Sequence, residues 1–307
     1  MTDSDSAASG DRTQRCGYIG LVGRPNVGKS TLLNRLLGMK LSIVSRRPQT
    51  TRNSILGVQT RDDTQFIYVD TPGLHGRQKK ALNRYLNRSA VTALRDVDVV
   101  VMLVEPHRWT DDDELVLEHL RQINRPVIAV VNKVDLIPQK EELLPFLEEL
   151  AGRHPFAEIV PLSAEKGQNV EPLEEIIRGY LPESVFYFPE DQVTDRSQRF
   201  LVAELIREQL MRTLGQEVPY STSVALEAFE ESDRLIRISA VIWVERDGQK
   251  AIVIGNGGQQ LKRIGQQARR QIEHLVEKKV HLELWVKIRE GWADDERAMK
   301  SLGYDEN

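Results

Sequence analysis

From Cys16 to about Tyr180 the chain alternates between two hydrophobic periods. Short unbroken apolar runs rich in β-branched residues (YIGLVG at 18–23, TQFIYVD at 64–70, DVVVMLV at 98–104, PVIAVV at 126–131, AEIVPL at 157–162) are separated by amphipathic stretches of helical spacing. A strand that is apolar on both sides has to be covered on both faces, so the alternation predicts an α/β domain with a mostly parallel sheet between helices. Local signals agree. Leu32, Leu33, Leu36 and Leu37 form a stripe that stops at Gly38, Thr110 before three aspartates caps a helix carrying Leu115 and Leu120, and Pro172 sits where a first helical turn tolerates it.

The rhythm breaks over LPESVFYFPEDQVTD, residues 181–195, which has two prolines, aromatics and no period. Beyond it the elements come in a different order: a helix over 196–214 closed by Gly215, alternating strands near 223–229 and 235–245, a glycine loop at 255–258, a basic amphipathic helix, and a strand near 280–288. This predicts a smaller α+β unit. The expected division is a mobile arm over 1–14, a first domain over 15–182, a linker over 183–195, a second domain over 196–291 and a C-terminal tail over 292–307. Trp243 and Trp285 fall in strand patterns and are expected in the core.

Composition narrows this picture only a little. At 307 residues, 40% apolar and 29% charged, the chain can build two cores, which excludes disorder as its general state. The single Cys16 allows no internal disulfide, and no apolar run approaches the ~20 residues of a membrane span, so the expectation is a cytoplasmic protein. The net charge of −4 hides a local excess: between 254 and 289, eight lysines and arginines face three glutamates.

The chemistry lies at the carboxyl ends of the strand candidates, where open α/β sheets place ligands. GRPNVGKS fits G-x-x-x-x-G-K-[ST], with Gly23, Asn26, Val27, Gly28, Lys29, Ser30 and Thr31 between a strand and a helix. Backbone N–H groups and the helix N-terminus there would cradle phosphates, Lys29 would neutralise the outer ones, and Ser30 would offer its hydroxyl to Mg2+. DTPG supplies Asp70 for Mg2+ and a Gly73 N–H for the γ-phosphate. NKVD places Asn132, Lys133 and Asp135 after PVIAVV, and the Asp135 carboxylate can accept the N1–H and exocyclic amine of guanine, a donor pair adenine lacks. SAEKG adds Ser163 and an Ala164 N–H for guanine O6.

In this order the four elements resemble the translation-factor-related GTPases. That resemblance implies a switch segment, here RRPQTTRN with Gln49, Thr50, Thr51 and Arg52, in which one threonine meets Mg2+; it favours Thr51, and the sequence itself leaves Thr50 open. Where signalling GTPases carry a water-orienting glutamine after this aspartate loop, the chain has Leu74, so unaided hydrolysis should be slow. Asn26 occupies the place at which potassium-dependent relatives ligate a monovalent cation, which implies K+ beside the Mg2+.

The run IGNGG, with Ile254, Gly255, Asn256, Gly257 and Gly258, followed by Lys262, Arg263, Arg269 and Arg270, is similar to a KH domain, whose GXXG loop clamps about four nucleotides. On residues alone, a turn beside a solvated basic face is the competing reading. This loop also lacks the usual basic residue between its glycines. The KH likeness makes QKAIVIG, residues 249–255, a helix despite its strand propensity. Over nearly the whole chain, PEDQVTDRSQRFLVAELIRE, HLELWVKIREGW and RAMKSLGY resemble the bacterial Era GTPases. The resemblance implies a monomeric GTP/GDP switch that binds the 3′ region of 16S rRNA and assists 30S subunit assembly, with a peripheral association with the inner membrane left open.

Overall fold

The computed structural model describes residues 13–301 apart from 46, 48–49, 77–80 and 216–217. Gln49, residues 1–12 of the expected arm and the last six residues lie outside that range. The first domain is a six-stranded sheet in the order β2-β3-β1-β4-β5-β6, formed by β1 (Arg15–Val22), β2 (Ile55–Arg61), β3 (Thr64–Asp70), β4 (Val99–Val104), β5 (Val127–Asn132) and β6 (Glu158–Leu162). All pairs are parallel except β2 with β3. The strand β2 has no counterpart in the apolar runs read from sequence. It is an edge strand of mixed polarity, ILGVQTR, and so carries only a weak hydrophobic signal.

The two faces of β4 show why its run is unbroken. Val99, Val101 and Leu103 join one cluster, with α1 (Lys29–Leu36) and α5 (Val170–Tyr180); Val100, Met102 and Val104 join the other, with α2 (Ala81–Ala93), α3 (Asp111–Leu120) and α4 (Leu143–Arg153). Burying each such side chain stabilises the fold by about 1.5–3 kcal/mol. Thr110 caps α3 through a reciprocal box with Asp113.

The second domain packs α6 (Gln198–Thr213), α7 (Asp247–Ile254) and α8 (Gln259–Val276) on one face of the sheet β7 (Ser223–Glu231), β8 (Leu235–Val244) and β9 (Lys279–Ile288). The segment read as QKAIVIG is helical, as the KH likeness required. Trp285 corrects the core expectation: it is 57% exposed. Along β9, Val280 and Val286 point to the core, so period-two alternation sends 285 to the open face. Trp243 is half-buried, with Lys287 Nζ 6.0 Å from its ring centroid.

Two segments read as connectors are structural. The linker runs along the edge strand, with Val58 N donating to Val193 O at 2.8 Å and Thr194 Oγ1 to Leu56 O at 2.6 Å, which covers an edge that would otherwise pair with other chains. The tail returns to the first domain as α9 (Glu296–Ser301), where Trp292, Ala293, Ala298 and Met299 pack on Ala81, Leu82, Tyr85 and Leu86 of α2.

Candidate nucleotide site and nucleic-acid surface

Strand β1 ends at Val22 and the chain turns through Gly23 and Gly28, both at positive φ (145° and 106°), before α1 begins at Lys29. At Gly28 a Cβ would lie 2.2 Å from Asn132 Nδ2, so only glycine fits. The Lys29 ammonium folds back over the loop, donating to Gly23 O (2.9 Å) and Arg24 O (3.1 Å). Burial lowers its pKa to about 8, with the Asp70 carboxylate acting in the opposite direction.

Ser30, Thr51 and Asp70 come together. Ser30 Oγ donates to Asp70 Oδ2 at 2.7 Å and lies 2.8 Å from Thr51 Oγ1, which is itself 3.5 Å from the same carboxylate oxygen. Asp70 Oδ1 is buried with no hydrogen bond among the described residues, and burial raises the carboxyl pKa against Lys29 and the neighbouring hydroxyls. Two hydroxyls beside an unsatisfied carboxylate make a set of three hard oxygen donors that fits Mg2+. Thr50 is placed elsewhere: its hydroxyl pairs with Ser45 Oγ (2.8 Å) and donates to Arg47 O (2.7 Å). Gly73 is pressed against the phosphate loop, where a Cβ would sit 2.7 Å from Pro25 N. Leu74 is buried in the cluster with α3 and α4.

On the base side, Asn132 acts as a strut. Its Nδ2 donates to Val27 O (2.7 Å), and its Oδ1 accepts the Ala164 N–H (3.0 Å), the donor expected to face guanine O6. Lys133, at φ 70°, donates to Asn26 O (2.7 Å) and pairs with Glu105. Asp135 is exposed in a short 3-10 turn just beyond. Ser163 Oγ accepts Lys166 N at 3.2 Å, closing the last loop. Replacing Asn132 with Ala leaves a buried carbonyl and a buried N–H unpaired, at about 1–3 kcal/mol each, read as a lowered denaturation midpoint of the protein without nucleotide.

Two features carry no signal in the sequence motifs. Arg24, a variable position of the loop motif, is buried against Asp113 (3.0 Å) and Glu105, tying the loop to α3. The second domain also reaches the nucleotide cleft, a space of about 1000 Å³ lined by Lys29, Ser30, Thr51 and Lys133 together with Met211 and Arg212 of α6. Around it α6 grips the switch segment: Arg207, paired with Glu204, donates to Thr50 O, and the buried Glu208 carboxylate accepts Val44 N (3.1 Å) and the Lys40 and Arg212 cations. Arg52, expected only as a switch residue, is buried and donates to Thr222 O (2.7 Å), Pro219 O (3.1 Å) and Tyr220 O (3.1 Å).

In the second domain, Ile254 leads into Gly255, Asn256, Gly257 and Gly258. All three glycines have positive φ, and a Cβ on Gly255 would meet Gln260 Cβ at 2.5 Å. Helix α8 buries Ile264, Ala268 and Ile272 and exposes Lys262, Arg263, Arg269 and Arg270, which gives the loop an open basic flank.

Known proteins match both halves. Residues 18–133 match the family described as 50S ribosome-binding GTPase, and residues 217–293 match the KH domain. GTPase Era of Pseudomonas syringae pv. tomato is 57% identical over 290 residues, covering 94% of this chain and 97% of the relative. The Pseudomonas aeruginosa GTPase Era is 54% identical over 305 residues and covers 99% of both. The chain belongs to the Era GTPases. Among solved structures, Era in complex with MgGDPNP and nucleotides 1506–1542 of 16S ribosomal RNA superposes with a TM-score of 0.93 at 39% identity, over 95% of this chain and all of that one. A variant of Aquifex aeolicus Era bound to GDP·AlF4− superposes with a TM-score of 0.92 over the same shares. As an Era GTPase, the protein binds and hydrolyses GTP in its first domain and carries a KH domain in its second.

Proposed function

We propose that this Era GTPase is a GTP-controlled switch that holds the 3′ region of 16S ribosomal RNA on its KH domain and assists assembly of the 30S subunit. The observation that carries the reading is positional: Thr51 stands with Ser30 and Asp70, while its neighbours Thr50 and Arg52 are held by α6 and residues 219–222. A change in what Thr51 touches is therefore passed to the domain bearing the GXXG loop. The RNA complex of the 39%-identical relative supports the choice of partner.

In this reading the phosphates lie over Gly23, Asn26 to Thr31 and Gly73, Mg2+ is held by Ser30, Thr51 and Asp70, and guanine is read by Asn132, Lys133, Asp135, Ser163 and Ala164. The ion would neutralise charge on the β- and γ-phosphate oxygens during transfer. Ala164 N–H would have to leave Asn132 Oδ1 or be shared with it to meet O6. RNA is clamped by Ile254 to Gly258 and attracted by Lys262, Arg263, Arg269 and Arg270. The protein would work in the cytoplasm as a monomer, and any contact with the inner membrane would be peripheral. No helix among the described residues is long and apolar enough to cross a bilayer.

Leu74 cannot orient the attacking water, so hydrolysis should be slow and K+-assisted through Asn26. Turnover is expected to be faster in K+ than in Na+ buffer, and the difference to vanish in Asn26→Ala; equal rates in the two buffers would reject the cation site. Lys29 gives a pH signature. Nucleotide phosphates would hold its charge, whereas without them burial, opposed by Asp70, lowers the pKa to about 8. Binding must then take up a proton above pH 8, and GTP affinity should fall by up to tenfold per unit over that range, measurable by calorimetry in buffers of different ionisation enthalpy. Between about 8 and the usual 10.5 the unfolded chain binds more protons at this site, so the nucleotide-free protein should become more stable as pH rises.

The direct test of the switch is the affinity of a 16S 3′ fragment for the GDPNP-loaded and GDP-loaded protein. Equal affinities would reject it, since a ligand with no differential affinity shifts nothing.

A further inference from the structure

Strand β4 lies between β1 and β5 in the sheet, and those two neighbours carry the two loops of the nucleotide site: the phosphate loop leaves β1 at Gly23, and the base-reading loop follows Asn132 at the end of β5. The first residue after β4 therefore stands between them. It is Glu105, an acid beside a loop built for phosphates. Its side chain is 13% exposed, and its carboxylate pairs with Arg24 of one loop and Lys133 of the other, with Arg108 Nη1 3.7 Å away. Burial pushes this carboxyl up, but the hydrogen bonds and charges of Lys133 and Arg24 outweigh burial and hold its pKa below the usual range.

Lys133 is the bridge. Its Nζ donates to Asn26 O at 2.7 Å as well as to Glu105, so one ammonium joins the phosphate loop, the base loop and the end of β4. Asn26 and Lys133 are both left-handed, at φ 68° and 70°, a conformation that is costly with a Cβ and persists only where the surroundings enforce it. Strain thus sits at both ends of the hydrogen bond that ties the two loops together. Arg24 is fixed from its other side by Asp113 at 3.0 Å, so Glu105 has an anchored guanidinium on one oxygen and the lysine on the other. Of these residues, only Asn26 and Lys133 line the nucleotide cleft; Glu105 stands behind them.

We propose that Glu105 is a positioning residue for guanine nucleotides: it holds the Lys133 ammonium on the Asn26 carbonyl and so keeps the phosphate loop and the base loop at the spacing that one bound nucleotide spans. The proposal rests on the reading above in which those two loops hold the two ends of GTP. It accounts for a carboxylate whose own charge opposes the ligand. As a bystander, Glu105 would only repel the phosphates, and its removal would tighten binding. As a positioning group, its removal weakens binding, because the flexible lysine stem is no longer fixed in advance and the ligand has to order it. The two roles differ in sign.

The test measures affinity and dissociation rate of fluorescent GDP and GDPNP on the full-length protein, for Glu105→Gln, Lys133→Ala and the double variant. The Gln amide has one acceptor and must turn its N–H groups toward the second cation. Glu105→Gln should therefore weaken both nucleotides by up to about tenfold, the effect of one side chain left unfixed, through faster dissociation. The loss belongs in KM: turnover at saturating GTP should change by less than about twofold, because Ser30, Thr51 and Asp70 keep their contacts. In the Lys133→Ala background the same substitution should add less than about twofold, since a group that acts through Lys133 has nothing left to position. Glu105→Asp keeps a countercharge for the buried Arg24 and is one methylene short of spanning both cations, so it should give the same direction of change in a protein whose fold is secure. Equal or tighter GDPNP binding in both Glu105 variants overturns the proposal. So does a loss that persists undiminished without Lys133, and so does a lowered melting temperature with nucleotide affinity intact, which marks an ion pair that serves the fold alone. The reading beneath it fails separately, by retained GTP preference in Asp135→Asn, whereas Glu105 is judged on one nucleotide at a time.

Discussion

Asp135→Asn is expected to exchange GTP for XTP. In the proposed reading the carboxylate would accept two hydrogen bonds from guanine, from N1–H and the exocyclic amine, and each charge-assisted bond is worth about 1.5–3 kcal/mol. Replacing one carboxylate oxygen by an amide N–H leaves an uncharged acceptor for N1–H and sets N–H against the exocyclic amine, so one charge-assisted bond is lost and the other weakened, and GTP affinity should fall by roughly 10²–10³-fold. Xanthine presents a carbonyl where guanine has the amine, and the Asn amide can donate to it. The protein should then bind and hydrolyse XTP, with the K+ dependence through Asn26 unchanged, because base and phosphate are read by separate loops. Competition between GTP and XTP for the labelled nucleotide site checks this. Retained GTP preference would mean that Asp135, exposed just beyond Lys133, is not the base reader.

How much of the fold and the site was legible in the sequence depends on whether the determinant is local. The parallel strands were readable because burial on both faces removes polar residues: β4 is apolar at every position. The loops were readable because their chemistry is written in a few adjacent residues, and Ser30 and Asp70 meet as their motifs imply. The failures are non-local. β2 is an edge strand whose partner on the outside is the linker, so neither looked like structure. Trp285 was read from its apolar character, whereas its position in the alternation of β9 places it outside. Glu204, Arg207 and Glu208 are charged positions of α6 that no motif singles out, yet all three are buried, with Arg207 donating to Thr50 O and Glu208 accepting Val44 N. Thr51 could be favoured over Thr50 only by likeness to relatives. The geometry supplies a reason: α6 takes the Thr50 carbonyl, and Ser45 and Arg47 take its hydroxyl.

The clasp itself makes the second large prediction. Arg52 is 1% exposed, its guanidinium donates to three carbonyls of residues 219–222, and its Cζ lies 5.9 Å from the Trp292 ring centroid. Arg52→Ala removes the cation and leaves those carbonyls facing a cavity, at a penalty of about 1–3 kcal/mol for each one that water does not reach. An overall loss of about 2–5 kcal/mol is expected from the unpaired carbonyls and the lost packing. Because Trp292 packs on α2 as well, the damage should spread to the contact between α9 and the first domain. A lesion confined to packing would lower the denaturation midpoint and leave nucleotide and RNA binding coupled to each other as before. A broken clasp should do more: Thr51, next in the chain, would still reach Ser30 and Asp70, so GTP affinity should change little, while the ratio of RNA affinities in the GDPNP and GDP states should move toward one. Arg52→Lys retains the charge but not the fork that serves several carbonyls at once, and should restore part of the stability and little of the ratio. If Arg52→Ala lowers stability and leaves that ratio intact, the switch segment reaches the KH domain through Arg207 and Glu208 rather than through Arg52.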